Sequence, residues 1–186
     1  MSARLLLLTD RTLVPPGRTL VDVLREAAGA GLTQVVLRET DLSDGERQDI
    51  ADAARGLGLA VIAAHRPVMG SAGLHVPAGA SPGRATRWGR SCHSRAEVSR
   101  AAGDGAWWAT LSPYTWTESK PGHGPPLPPD AFENLPLPVY ALGGVTAGNA
   151  EQARKAGAYG VAVMGAVMRA EDPAAVVADL LRAVAP

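Results

Sequence analysis

Val139-Tyr140-Ala141-Leu142-Gly143-Gly144-Val145, answered further on by Tyr159-Gly160-Val161-Ala162-Val163-Met164-Gly165, is the pair of stretches that decides the fold. Each is a short apolar run without polar alternation, as expected of a parallel strand covered on both faces. Similar runs recur at residues 5–8, 35–37, 59–64, 74–76 and 106–111, most followed by an amphipathic helical stretch. An eighth, weaker strand is needed around 87–91, because Val76 must connect to His93 through a short link. Helix starts are explicit: Thr19 with Asp22 three positions on, Ser43 with Glu46, and Ser94 with Glu97. The last two read as capping boxes, in which the Glu returns to the cap's own N–H. Asp172-Pro173 opens the final helix, with proline where no N–H is needed. Strand and helix alternating through short linkers predicts an α/β chain, a compact (β/α)8 TIM barrel with trimmed helices. Such barrels typically run to ~250 residues; here 186 residues are read as one domain, 1–186, with little room for helices at 77–86 and 122–137.

Composition narrows the function classes. Lys plus Arg (18) balance Asp plus Glu (18), so no basic excess points to nucleic acid. No apolar run approaches the ~20 residues of a membrane span. Arg4 and the leucines after it resemble a signal peptide, but Thr9-Asp10-Arg11 stops the run too early. A single cysteine, Cys92, allows no intrachain disulfide, and a cytoplasmic location is expected. Residues 121–138 hold seven prolines, which forbid a regular helix. They read as a loop with one turn near 130–134, either a stiff surface connector or a lid. Apolar helix faces serve core and interface alike, which leaves a homo-oligomer open.

In a barrel of this type the active site lies at the carboxyl ends of the strands. The polar residues just past each run are therefore the candidates: Thr9 to Arg11, Arg38 to Thr40, His65, Arg66, His75, Ser91, His93, Ser112, Thr115, Thr117, Ser119 and Lys120. Gly143-Gly144 and Met164-Gly165-Ala166 stand past strands seven and eight. Glycine lets a phosphate oxygen approach backbone N–H groups, and a short helix after strand eight points its N-terminus at the anion. One glycine turn needs no ligand to explain it; two at these strand ends indicate phosphate. Cys92 is expected to be buried, since its neighbour His93 faces the other way. Trp107 and Trp108 are both placed in strand six, packing toward core and helices. Trp116 is placed to cover a flat heterocycle or to sit idle in its loop.

Val36-Leu37-Arg38-Glu39, Ile62-Ala63-Ala64-His65-Arg66, Gly73-Leu74-His75-Val76, Gly89-Arg90-Ser91-Cys92-His93-Ser94, Thr117-Glu118-Ser119-Lys120-Pro121 and the two glycine-ended runs occur in one order over nearly the whole chain. In that order they resemble the thiamine phosphate synthase and TenI-type thiazole tautomerase superfamily. The resemblance implies a (β/α)8 barrel and a thiazole phosphate ligand. It implies that Gly143, Gly144, Met164 and Gly165 cradle the phosphate, with Thr117, Ser119 and Lys120 contacting it. Arg38 would hold a substrate carboxylate through a bidentate pair, unless Glu39 is its structural partner.

Three departures bear on the branch. Where the synthases carry Gln-Leu-Arg-Glu-Lys, Asn-Asp-Arg and a further Asp after Gly-Val-His, this chain has Val36-Leu37-Arg38-Glu39-Thr40, Ala64-His65-Arg66 and an acid-free stretch over 76–81. A hard cation such as Mg²⁺ needs oxygen ligands, usually carboxylates. No metal and no cofactor are therefore expected. Gly89-Arg90-Ser91-Cys92-His93-Ser94 is similar to the tautomerase segment whose histidine transfers a proton, a task suited to imidazole. The leading expectation is a metal-independent thiazole tautomerase with His93 as proton shuttle. A thiamine phosphate synthase and a non-catalytic sensor of thiazole phosphate are the alternatives. His65, in the former metal position, is placed either against the ligand or in packing.

Overall fold

The computed structural model describes residues 3–116 and 125–185. Eight parallel strands close into a barrel in chain order: β1 (Leu5–Leu8), β2 (Gln34–Leu37), β3 (Ala60–Ala64), β4 (Gly73–Val76), β5 (Trp88–Cys92), β6 (Trp108–Leu111), β7 (Val139–Leu142) and β8 (Gly160–Val163). Closure is made by β8 pairing on β1, with Leu5 opposite Val161 and Leu7 opposite Val163. The expected fold class is present, including the weak strand at β5.

Alternate residues of each strand serve two cores. Leu5, Leu7, Val35, Leu37, Val61 and Ala63 face the helices, whereas Leu6, Leu8, Val36, Ile62, Ala64 and Ala162 fill the barrel. Both sets are buried, which is why the runs lack polar alternation. Trp108 packs in the core as expected, fully buried and pointing into the barrel. Glycines on the neighbouring strands make the space, since a Cβ on Gly89 would stand 2.2 Å from the indole. Trp107 precedes β6 and is 55% exposed, with the Arg87 guanidinium over its ring.

The helices are α1 (Leu20–Gly29), α2 (Asp44–Gly56), α3 (Arg95–Gly103), α4 (Ala147–Lys155), α5 (Gly165–Met168) and α6 (Pro173–Ala183). Thr19 with Asp22 and Ser43 with Glu46 form complete capping boxes. The third box differs: Ser94 Oγ accepts from the Glu97 N–H, but the Glu97 carboxylate takes the N–H of His93 (2.6 Å), one residue before the cap. Trimming removes any helix between β3 and β4 and between β4 and β5, and leaves a 3-10 turn, Pro129–Phe132, before β7. The described end of the proline-rich segment is pinned to the barrel. Leu127 N–H donates to Pro113 O, and the Arg95 guanidinium donates to the carbonyls of Asp130 and Glu133. That favours a stiff connector for 125–138. Among the described residues no helix is long and apolar enough to cross a membrane.

Candidate active site

At the tip of β2 the backbone N–H of Arg38 donates to Thr9 Oγ1 (2.9 Å), which fixes where the side chain leaves the strand. The half-buried guanidinium reaches over β1 and places Nη1 2.7 Å from Met164 Sδ, at the tip of β8. It has no carboxylate partner among the described residues. Glu39 is not that partner: it is buried, faces the other way and accepts from the Arg11 N–H and from Arg11 Nη1 (both 3.2 Å). Arg11 in turn grips Asp41, at 2.8 and 2.6 Å. The carboxylate that sequence adjacency suggests for Arg38 is thus consumed elsewhere.

The β3 tip carries His65 with φ +65°, one of two non-glycine described residues at positive φ. Its N–H donates to His75 O (2.9 Å), continuing the β3–β4 ladder past the strand end. Partial desolvation, then the charges of Arg38, Arg47 and Arg66, hold its imidazole below the ordinary histidine range. Beneath it, His75 Nε2 lies 3.1 Å from Ser91 Oγ and 3.5 Å from Thr110 Oγ1, with Trp108 stacked alongside. Burial pushes His75 down to about 4, and His65 and Arg38 add to the shift. His75 is therefore neutral and interior.

His93 is exposed at the mouth beyond β5. Its Nδ1 lies 3.1 Å from both the carbonyl and the hydroxyl of Ser112. A carbonyl can only accept, so the neutral tautomer that satisfies the Ser112 carbonyl has its proton on Nδ1 and its lone pair on Nε2. Cys92 is buried, and burial lifts its thiol to about 11, so it is no nucleophile beside the histidine. A cavity of about 480 Å³ beside β5 is lined by Arg90, Ser91, Glu97, Arg100 and Asp104, but Arg90 is already paired with Asp104 (2.6 Å) and Glu97 with the His93 N–H.

The two glycine sites differ in kind. Gly143 and Gly144 have φ +98° and +67°, and the β6 loop lies on them: Thr115 N–H donates to Gly143 O, and a Cβ on Gly144 would stand 2.3 Å from Trp116 O. Turn conformation and loop packing alone require glycine there. Gly165 opens α5, whose first N–H groups lack intrahelical partners. A Cβ on it would meet only the Arg169 guanidinium, with Nη1 nearest at 2.1 Å. Arg169 is thus a second cation at this spot that sequence reading missed; it follows α5 rather than a strand. Trp116 is 74% exposed at the rim. Thr117, Ser119 and Lys120 lie outside the described residues.

The structure brings Arg38, Met164, Gly165 and Arg169 together on one side of the mouth; His65 and His93 stand at other strand tips, with His75 buried in the barrel beneath. The family profile described as Thiamine monophosphate synthase matches residues 69–167. A putative thiamine-phosphate synthase of Geobacter sulfurreducens is 32% identical, over 91% of this chain and 88% of its own. The chain belongs to the thiamine monophosphate synthase family. It is therefore a member of a thiamine-biosynthesis family. A thiamine-phosphate synthase of Methanoculleus marisnigri is 34% identical, over 97% of this chain and 94% of its own. Thiamine phosphate pyrophosphorylase from Pyrococcus furiosus superposes with a TM-score of 0.83, covering 97% of this chain and 95% of that one, at 24% identity. That likeness shows the fold.

Proposed function

We propose that this family member is an enzyme of thiamine biosynthesis that binds a thiazole phosphate at the carboxyl-terminal mouth of its barrel. The observation that carries the reading is Arg38: a half-buried cation with no carboxylate partner among the described residues, resting on Met164 beside Gly165 and Arg169. A half-buried guanidinium at the mouth with no carboxylate partner suits an anionic ligand, which would supply charge-assisted hydrogen bonds. The names of the relatives support condensation with a pyrimidine methyl pyrophosphate, in which the thiazole nitrogen bonds to the methylene carbon and pyrophosphate leaves, giving thiamine phosphate. They support it better than the proton shift that the His93 segment suggests.

A second reading, the proton shift, is favoured by the residues at the strand tips. His93 Nε2 is free to take a proton from the thiazole ring; the electron pair completes the aromatic system while the exocyclic alkene carbon takes the proton back. The family's magnesium tests poorly against this donor set. The β3 tip offers His65 and the β4 tip no acid, and a hard cation needs oxygen ligands. Those residues do not fit the ion.

One assay separates the readings. Condensation predicts thiamine phosphate from thiazole phosphate and the pyrimidine pyrophosphate in Mg²⁺, stopped by a chelator. The proton shift predicts isomerisation that survives the chelator and falls about 10²–10⁴-fold in His93→Asn. Binding without either turnover would leave a sensor, and no binding of thiazole phosphate would sink the proposal.

A further inference from the structure

Arg47, on α2, is fully buried and has no acidic partner among the described residues. Its Nη2 donates to the carbonyls of Ala64 (2.9 Å) and Arg66 (3.1 Å), while Nε and Nη1 make no hydrogen bond. A guanidinium is rarely buried without a counter-charge. The two carbonyls it takes are those on either side of His65.

Every other backbone contact near His65 fixes the same turn. The His65 N–H is held by His75 O, and the Arg66 N–H donates to Ala64 O (2.8 Å). The Arg66 guanidinium is drawn outward to Asp44 (2.6 Å) and to the carbonyls of Thr40 and Leu42. Between these anchors His65 sits at φ +65°, a conformation costly for a residue with a Cβ. Its imidazole is exposed and makes no hydrogen bond to any described residue. The surroundings thus fix the backbone of a residue whose side chain does no structural work, an arrangement met at functional sites. That side chain stands at the mouth near Arg38, on the far side of it from Gly165.

We propose that His65 contacts the ring end of the substrate, opposite the phosphate, and that Arg47 is a positioning residue that holds His65 there. The inference rests on the proposed binding of a thiazole phosphate with its phosphate at the β8 end, beside Gly165 and Arg169. It makes His65 a determinant of which heterocycle is accepted, while the phosphate end is recognised without it.

The test uses two probes, inorganic phosphate and a thiazole phosphate, on the full chain. His65→Gly removes the imidazole and suits the left-handed backbone. Its melting temperature should be no lower than that of the wild type, and its affinity for inorganic phosphate should change less than twofold. Thiazole phosphate should bind at least tenfold more weakly. His65→Asn, which also tolerates positive φ, should fold equally well and fall between the two. Arg47→Met should weaken thiazole phosphate binding in the wild-type background and have no further effect alongside His65→Gly. A lower melting temperature in His65→Gly would make His65 structural. Unchanged thiazole phosphate affinity in that variant would refute the contact while leaving the phosphate site standing. Equal effects of Arg47→Met in both backgrounds would refute its positioning role. A wild type that binds neither probe would overturn the functional reading and this inference together.

Discussion

Arg38 and His75 show how a single residue's surroundings set what it can do. Arg38 loses no ion pair when replaced, because Glu39 already belongs to Arg11. Arg38→Gln should therefore melt close to the wild type, yet bind thiazole phosphate about 10–100-fold more weakly, matching the ~1.5–3 kcal/mol of a charged hydrogen bond. A variant that binds normally would remove Arg38 from the site. His75 makes a separate prediction about stability. Its pKa is 6.5 for an ordinary histidine and about 4 in the fold, because burial penalises the imidazolium. Above pH 6.5 both states are neutral and its contribution is complete. As pH falls toward 4 the unfolded chain takes up a proton that the native state refuses, so stability falls by on the order of 3 kcal/mol. His75→Gln, which still hydrogen-bonds Ser91 but does not titrate, should flatten urea-unfolding stability across that window. An equal slope in the variant would show that other groups set the acid sensitivity.

The two glycine turns, similar in sequence, separate at the level of elements. Gly144→Ala forces a Cβ into the Thr115–Trp116 backbone at positive φ and should cost at least ~2 kcal/mol in thermal unfolding. Gly165→Ala meets only the flexible tip of Arg169 and gains helix propensity, so its melting temperature should hold or rise. The reverse order would mean the two turns have been assigned the wrong roles. The strands themselves were legible because burial on two faces writes an unbroken apolar run, as at Leu5–Leu8 and Val139–Leu142. The direction of Trp108 was not, since a run buried on both faces does not say which face is the barrel. Nothing in the sequence marks Arg47 as buried, since arginine is almost never fully buried. The left-handed turn at His65 leaves no mark in composition or periodicity. His93 and Arg38 could be nominated because strand-end position and chemistry coincide there; Arg169 was passed over because it stands after α5.

For the whole molecule, side chains fill the barrel from Tyr140 up through Trp108 and His75, leaving binding to the carboxyl-terminal rim. With 18 basic and 18 acidic residues the chain has no overall field to draw an anion in, so the proposed recognition would rest on the local cations Arg38 and Arg169. The most direct measurement is a calorimetric titration of a thiazole phosphate into the wild type and Gly165→Asp. Aspartate at 165 meets Arg169 and places a negative charge where the phosphate should lie. The account predicts saturable binding to the wild type and at least tenfold weaker binding to a variant that still melts cooperatively. Equal affinity in both proteins, or no binding to the wild type, would contradict it.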